Sequence, residues 1–266
     1  MKAVLKYPGA KNRLADWIVG YIPKHDVYLE PFFGSGAVLF NKPRSYLETV
    51  NDIDGEVVNF FKVLRDNHKE LQRLIELTPW SREEYYKSFE LSGSGVERAR
   101  RFCVRCWMGI GNSNNHRNGF KVSKQKVSPN PAGSWASLSE TIEFVSERLK
   151  GVQIESMEAV ELIGRYNTSD VFIYADPPYL LDTRKGYLYK REMANHEHEE
   201  LLEVLLNHPG KVMISGYDSE MYNVYLKDWR WESIKTLAEG ATSRTEKIWM
   251  NYPPAGQASI FDFIKE

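Results

Sequence analysis

The chain is poor in cysteine. Cys103 and Cys106 are the only two in 266 residues, which argues against a secreted disulfide framework. Their Cys-x-x-Cys spacing lacks a second ligand pair at zinc spacing, and they read as ordinary thiols on a helix. Long apolar runs are missing too. None approaches the ~20 residues that cross a bilayer. Met1-Lys2-Ala3-Val4-Leu5 has no signal-peptide core or cleavage site. A cytoplasmic protein without a membrane partner is expected. No Ser/His/Asp or Cys/His constellation stands out, and His196 and His198 have no companions, so no metal is expected. Two phosphate-binding motifs are incomplete. No Gly-Lys-Ser/Thr follows the glycines at Gly34 and Gly36, and Leu39 stands where the third glycine of a dinucleotide loop belongs.

One absence is local. From Arg98 to Asn130 there is no Asp or Glu, but there are Arg98, Arg100, Arg101, Arg105, Arg117, Lys121, Lys124 and Lys126. On a chain of net charge −1, such a stripe is the footprint of phosphate contact or else a solvated cationic face.

What is present supports a packed domain. The chain is 42% hydrophobic and 13% aromatic, enough for a substantial core. Val171 to Ala175 is a short apolar run that reads as a buried strand. Asp176-Pro177-Pro178-Tyr179 ends it, because proline cannot donate to a ladder and fixes φ. A carboxylate, a carbonyl and a ring are thus held at the carboxyl end of a strand, where open α/β sheets bind ligands. The Asp176 carboxylate and the Pro177 carbonyl are two acceptors for the N–H groups of an exocyclic amine, and Tyr179 could stack on a base. A plain rigid turn is the alternative.

Other strand ends carry similar signals. Val27 to Glu30 runs into Pro31-Phe32-Phe33-Gly34-Ser35-Gly36, and Ala37 to Phe40 then reads as a helix start. Strand, glycine loop and helix make a nucleotide-type site. Tyr46 to Val50 is a second strand, ending in Asn51-Asp52-Ile53-Asp54. A carboxylate there grips a ribose in such folds. Asp52 suits that role, and Asp54 suits the N-cap of the following helix. Tyr7 and Lys11 flank a Pro8-Gly9 turn and could face a ligand together or pack and solvate in the ordinary way. Residues 62–150 are mostly helical, with a polar stretch from Gly109 to Ser137. Asn118-Gly119 within it is a hairpin signal.

With these residues in hand, the chain resembles the Dam-type DNA adenine-N6 methyltransferases. The parts occur in family order: Lys6-Tyr7-Pro8-Gly9-Ala10-Lys11, Glu30-Pro31-Phe32-Phe33-Gly34-Ser35-Gly36, Asn51-Asp52-Ile53, an insertion, then Asp176-Pro177-Pro178-Tyr179. Glu155-Ser156 matches a further motif, with Met157 where many relatives carry an acid. The resemblance implies an α/β fold, a Rossmann-like class I methyltransferase sheet built from residues 1–60 and 150–266. A mostly helical target-recognition domain carrying a β-hairpin is inserted at 61–149.

It also implies the site. Asp176, Pro177 and Tyr179 are the catalytic residues. Tyr7, Lys11, Glu30, Phe33, Gly34, Gly36, Asp52 and Asp176 hold S-adenosylmethionine. Lys6, Arg105, Asn118, Lys121, Lys124 and Lys126 meet double-stranded DNA. The expected enzyme is a monomer that flips the target adenine out of the duplex and needs no metal and no companion restriction endonuclease. An RNA adenine methyltransferase of the same chemistry is one alternative. A DNA-binding regulator with a vestigial cofactor site is another.

Overall fold

The computed structural model describes residues 3–111, 117–126, 130–184, 186–237 and 243–253. A short helix α1 (Ala15–Val19) precedes the parallel strands β1 (Val27–Glu30) and β2 (Leu47–Asn51). The crossover to the next strand carries α2 (Gly55–Asp66), α3 (His68–Leu77), α4 (Arg82–Lys87), α5 (Gly95–Met108), α6 (Pro131–Ala136) and α7 (Leu138–Leu149). Alternation then resumes through β3 (Val152–Glu155), α8 (Ala159–Arg165), β4 (Val171–Ala175), α9 (Asn195–Leu206), β5 (Lys211–Tyr217) and α10 (Glu220–Tyr225). The antiparallel pair β6 (Arg230–Leu237) and β7 (Ser243–Met250) follows.

The strands form one sheet in the order β3-β2-β1-β4-β5-β7-β6, with β7 antiparallel between β5 and β6. This is the expected Rossmann-like α/β arrangement. The chain walks from β1 through β2 to β3, then restarts beside β1 with β4 and walks the other way. Such a reversal leaves a crevice beyond the carboxyl ends of the two central strands.

The sequence of β4 shows why it is central. Successive side chains of a strand point to opposite faces. Phe172 and Tyr174 enter the core beneath the crossover helices, while Val171, Ile173 and Ala175 enter the core under α8, α9 and α10. A run without a polar member suits a parallel strand covered on both sides. On the first face, packed rings run from the glycine loop into the crossover helices. Phe33 meets Phe61 (4.7 Å between centroids), Phe61 meets Phe60 (5.3 Å), and Phe60 meets Phe102 of α5 (6.1 Å). Cys103 and Cys106 lie buried and unbridged in the same core. Asp54 caps α2, accepting from the Glu56 N–H at 3.0 Å, as its place before an apolar helix predicts.

The structure departs from the sequence expectations at three places. Ala37 to Phe40 form a turn rather than the start of a helix. Phe40 N–H donates to Gly36 O and Lys42 N–H to Val38 O, each at 3.0 Å. Pro43 then stops propagation, because the residue before a proline is pushed out of helical space. Asn118-Gly119 is not itself the reversal of a hairpin. Gly119 O accepts from Ile110 N–H and Met108 O from Lys121 N–H, both at 2.7 Å, around a single antiparallel bridge between Gly109 and Phe120. Gly119 thus stands on one arm of a short pairing. Strand β6 was not expected at all. None of its residues from Arg230 to Thr236 is buried, so it lacks the apolar signal and owes its existence to the free edge of β7.

Among the described residues, no helix is long and apolar enough to cross a membrane, and no cluster of His, Cys, Asp and Glu could hold a metal ion.

Candidate active site

Three strand ends meet at the crevice. Glu30 closes β1, Asn51 closes β2 with Asp52 just beyond it, and Asp176 follows β4. Together they border a cavity of about 480 Å³. Tyr7, Lys11, Glu30, Phe33, Gly34, Asp52 and Asp176 all line it. Gly36 does not. Its φ is +70°, and a Cβ there would lie 2.4 Å from the Phe40 ring and 2.6 Å from the Phe33 ring. This glycine is required by rings packed against the loop.

Asp52 organises the loop. Gly34 N–H donates to its Oδ2 and Asp54 N–H to its Oδ1, both at 2.8 Å. Burial nonetheless pushes its carboxyl up to about 7. Burial pushes Glu30 up to about 8, although the Tyr28 hydroxyl donates to it at 2.8 Å. Asn51 ties the end of β2 to its neighbours, its amide nitrogen donating to Pro31 O and Met157 O and its oxygen accepting from Met157 N–H.

The wall is rich in acid. Glu158, Glu161, Glu197 and Glu200 join Glu30, Asp52 and Asp176, against Lys11 and Arg191. Even with Glu30 and Asp52 raised toward neutrality, the other five acids outnumber the two bases, and such a cavity favours a cationic ligand. Tyr7, Phe32, Phe33, Tyr174 and Tyr189 add flat apolar surface. Tyr189 belongs to the segment after Tyr179, which Arg184 fastens. The Arg184 guanidinium donates to Tyr179 O at 2.8 Å, to Gly186 O at 2.6 Å and to Glu192.

Both oxygens of Asp176 are engaged. The Ser215 hydroxyl donates to Oδ1 and the Lys11 ammonium to Oδ2, each at 2.8 Å. Lys11 also donates to Gly9 O at 2.9 Å. Burial opposes the Lys11 charge, but Asp176 and then Glu246, 3.6 Å away, hold its pKa above the ordinary lysine range. The Tyr179 ring lies 4.7 Å from the same ammonium and meets Tyr217 edge-on at 4.5 Å. Its hydroxyl donates to Glu246. Pro177 and Tyr179 are absent from the wall of the 480 Å³ cavity, whereas Asp176 and Pro178 belong to it. Tyr217 lines a second, more open cavity with Arg184, Asp218 and Arg244. Asp176 is therefore a border residue, in contact with the acidic cavity and with the network around Tyr179.

Several of these residues carried no sequence motif. Ser215 was findable as a polar residue in a strand ending at the same sheet edge. Glu246 was not. It reaches the site because β7 lies antiparallel beside β5, which sets Glu246 opposite Tyr217.

The basic residues divide. Lys124 and Lys126 are exposed. Lys121 is half-buried, and its carbonyl accepts from the Trp80 indole at 3.0 Å. Asn118 O accepts from the Tyr85 hydroxyl at 3.0 Å, and the Lys6 ammonium sits 4.0 Å above the Trp107 ring. Arg105, expected at the DNA, points inward in this structure. It is buried, donates to Ser88 O, and pairs with Glu56 at 3.0 Å. Arg98 also pairs with Glu56, while Arg100 and Arg101 both pair with Glu97. Arg98 and Arg105 thus fasten α5 to α2 through Glu56, and Arg100 fastens it to α4 through Glu84 at 2.8 Å, while the Glu97 pairs lie within α5 itself. The acid-free window hid this, because Glu97 stands one residue before it and Glu56 far upstream. Arg117, Lys124 and Lys126 are the members of the stripe that face outward among the described residues.

The sheet is of the Rossmann-like α/β class, with a crevice beyond its central strand ends. The chain belongs to the D12 class N6 adenine-specific DNA methyltransferase family, which it matches over residues 7–241. A type II methyltransferase of Lactococcus lactis subsp. cremoris is 29% identical, with 95% of this chain and 96% of that protein covered. A DNA adenine methylase of Vibrio cholerae serotype O1 is 29% identical over 67% of this chain and 65% of its own length. That of Serratia marcescens is 24% identical over 86% of each. The protein is an adenine-specific DNA methyltransferase.

Proposed function

We propose that the methyl donor is S-adenosylmethionine and that the acceptor is an adenine flipped out of double-stranded DNA. The observation that carries this reading is the double contact of Asp176, with the acidic cavity and with the network around Tyr179. When bound, S-adenosylmethionine supplies a methyl group on a sulfonium, and its two cationic groups suit a carboxylate-rich wall. Asp52 would take the ribose, Tyr7 and Phe33 would meet the adenine moiety, and Gly34, Glu30 and Lys11 would hold the methionine part.

An adenine amine inside a duplex cannot present its nitrogen to a methyl in line, so the base leaves the stack. Asp176 and the Pro177 carbonyl accept its two N–H groups, and Tyr179 holds the ring. Methyl transfer to the lone pair so directed would leave the donor sulfur neutral with the bonding electrons, and the proton shed by the amine would pass by way of the Asp176 carboxylate to solvent. The protein contributes orientation and fixed acceptors.

The test is uptake of labelled methyl by unmethylated duplex DNA, followed by mapping of the modified adenines. Uptake by structured RNA in place of DNA would overturn the substrate assignment.

Residues 61–149 read the target in this account, with Lys124 and Lys126 on phosphates. Replacing each by alanine should weaken binding to all duplexes alike and lower the slope of log affinity against log salt by about 1 per lysine. Titrations at several salt concentrations check this, and an unchanged slope in both variants would remove the phosphate role.

A further inference from the structure

We infer that Glu246 is a positioning residue that takes over the Lys11 ammonium when a substrate amine claims Asp176. The inference rests on the reading of Asp176 as acceptor of the target amine. It starts from a conflict in the geometry. Oδ2 of Asp176 is held by Lys11 at 2.8 Å and Oδ1 by Ser215 at 2.8 Å. An incoming N–H must displace one of these donors or share with it. Ser215 is a neutral hydroxyl and can turn away. Lys11 is a buried cation, and an ammonium left without a carboxylate in such a place is strongly disfavoured.

Glu246 resolves the conflict. Its Oε1 is already 3.6 Å from Lys11 Nζ, so a shift of about 1 Å makes a full hydrogen bond. The Gly9 carbonyl, 2.9 Å from Nζ, is a second partner that need not move. Glu246 is itself buried on β7 and is absent from the wall of the 480 Å³ cavity. Its other partner is the Tyr179 hydroxyl. The carboxylate thus lies between the ring that receives the base and the ammonium that must yield. Docking of the base on Tyr179 and release of Asp176 are joined through one side chain. No bond to carbon is made or broken in this step; an ion pair changes partner.

A merely structural role is separable from this one. Glutamine keeps the length of the side chain and an oxygen to accept from Tyr179, but loses the charge that Lys11 needs. Aspartate keeps the charge. Single-turnover methyl transfer to duplex DNA, at saturating DNA and cofactor, is measured for the wild type, E246Q and E246D. E246Q should be slowed on the order of 100-fold and E246D by less than about tenfold. Calorimetric affinity for S-adenosylmethionine should change by less than about twofold. An E246Q rate near wild type, or equal losses in the two variants, would overturn the handover. So would a parallel fall in cofactor affinity, which would assign Glu246 to the cofactor cavity. A wild-type protein that methylates no DNA adenine would instead overturn the functional reading beneath it.

Discussion

Asp176→Ala should lower methyl transfer at least about 1,000-fold, because it removes a preorganised acceptor aimed at the reacting amine. The protein should remain folded. The Asp176 side chain is 17% exposed and stands just beyond the end of β4, outside the sheet ladder. Its loss leaves Lys11 with Gly9 O at 2.9 Å and with Glu246 at 3.6 Å, so the ammonium is not stranded. Ser215 keeps the Tyr174 hydroxyl at 3.1 Å. Single-turnover rates beside a circular-dichroism melt separate the two effects. Near-normal transfer by the alanine variant would refute the chemistry proposed for Asp176.

Gly36→Ala should cost about 3–4 kcal/mol of stability, from left-handed backbone strain together with overpacking of a tight core. The backbone contribution comes from φ of +70°. The packing contribution comes from the 2.4 and 2.6 Å approaches of the new Cβ to Phe40 and Phe33. Neither ring has room to retreat. Phe33 is packed against Phe61 at 4.7 Å, and Phe40 against Phe61 at 5.9 Å. The melting midpoint should fall by about 10 °C, given a few degrees per kcal/mol for a chain of this size. An unaltered midpoint would show that the loop relaxes and that the glycine has another purpose.

The legible parts of this protein were those governed by local chemistry. Val171 to Ala175 could hardly be other than a doubly covered strand, and proline had to end it. The same holds for the cap at Asp54 and for Asp52 at the end of β2. The parts that escaped depend on partners distant in sequence. Glu246 enters the site only because an antiparallel strand wedges in beside β5. Strand β6 has no apolar face and exists through pairing alone. Arg105 belongs to a basic run, yet Glu56, 49 positions earlier, draws it inward. Charge counted along a sequence registers neither partner nor depth. The turn at Ala37 to Phe40 shows the opposite limit: Pro43 is visible in the sequence, but its reach back into a short apolar run leaves no local mark.

The rings that run from Phe33 through Phe61 and Phe60 to Phe102 have a bearing on engineering. They cross from the glycine loop into the crossover segment without a gap. A chimaera that imports residues 61–149 from a relative would replace Phe61 and Phe102 but keep Phe33 and Phe60, so every ring contact in that series would cross a junction. The donor segment would have to bring rings of matching size, or the packing beneath the glycine loop would loosen. The crossover segment and the sheet share one core and do not exchange as separate parts.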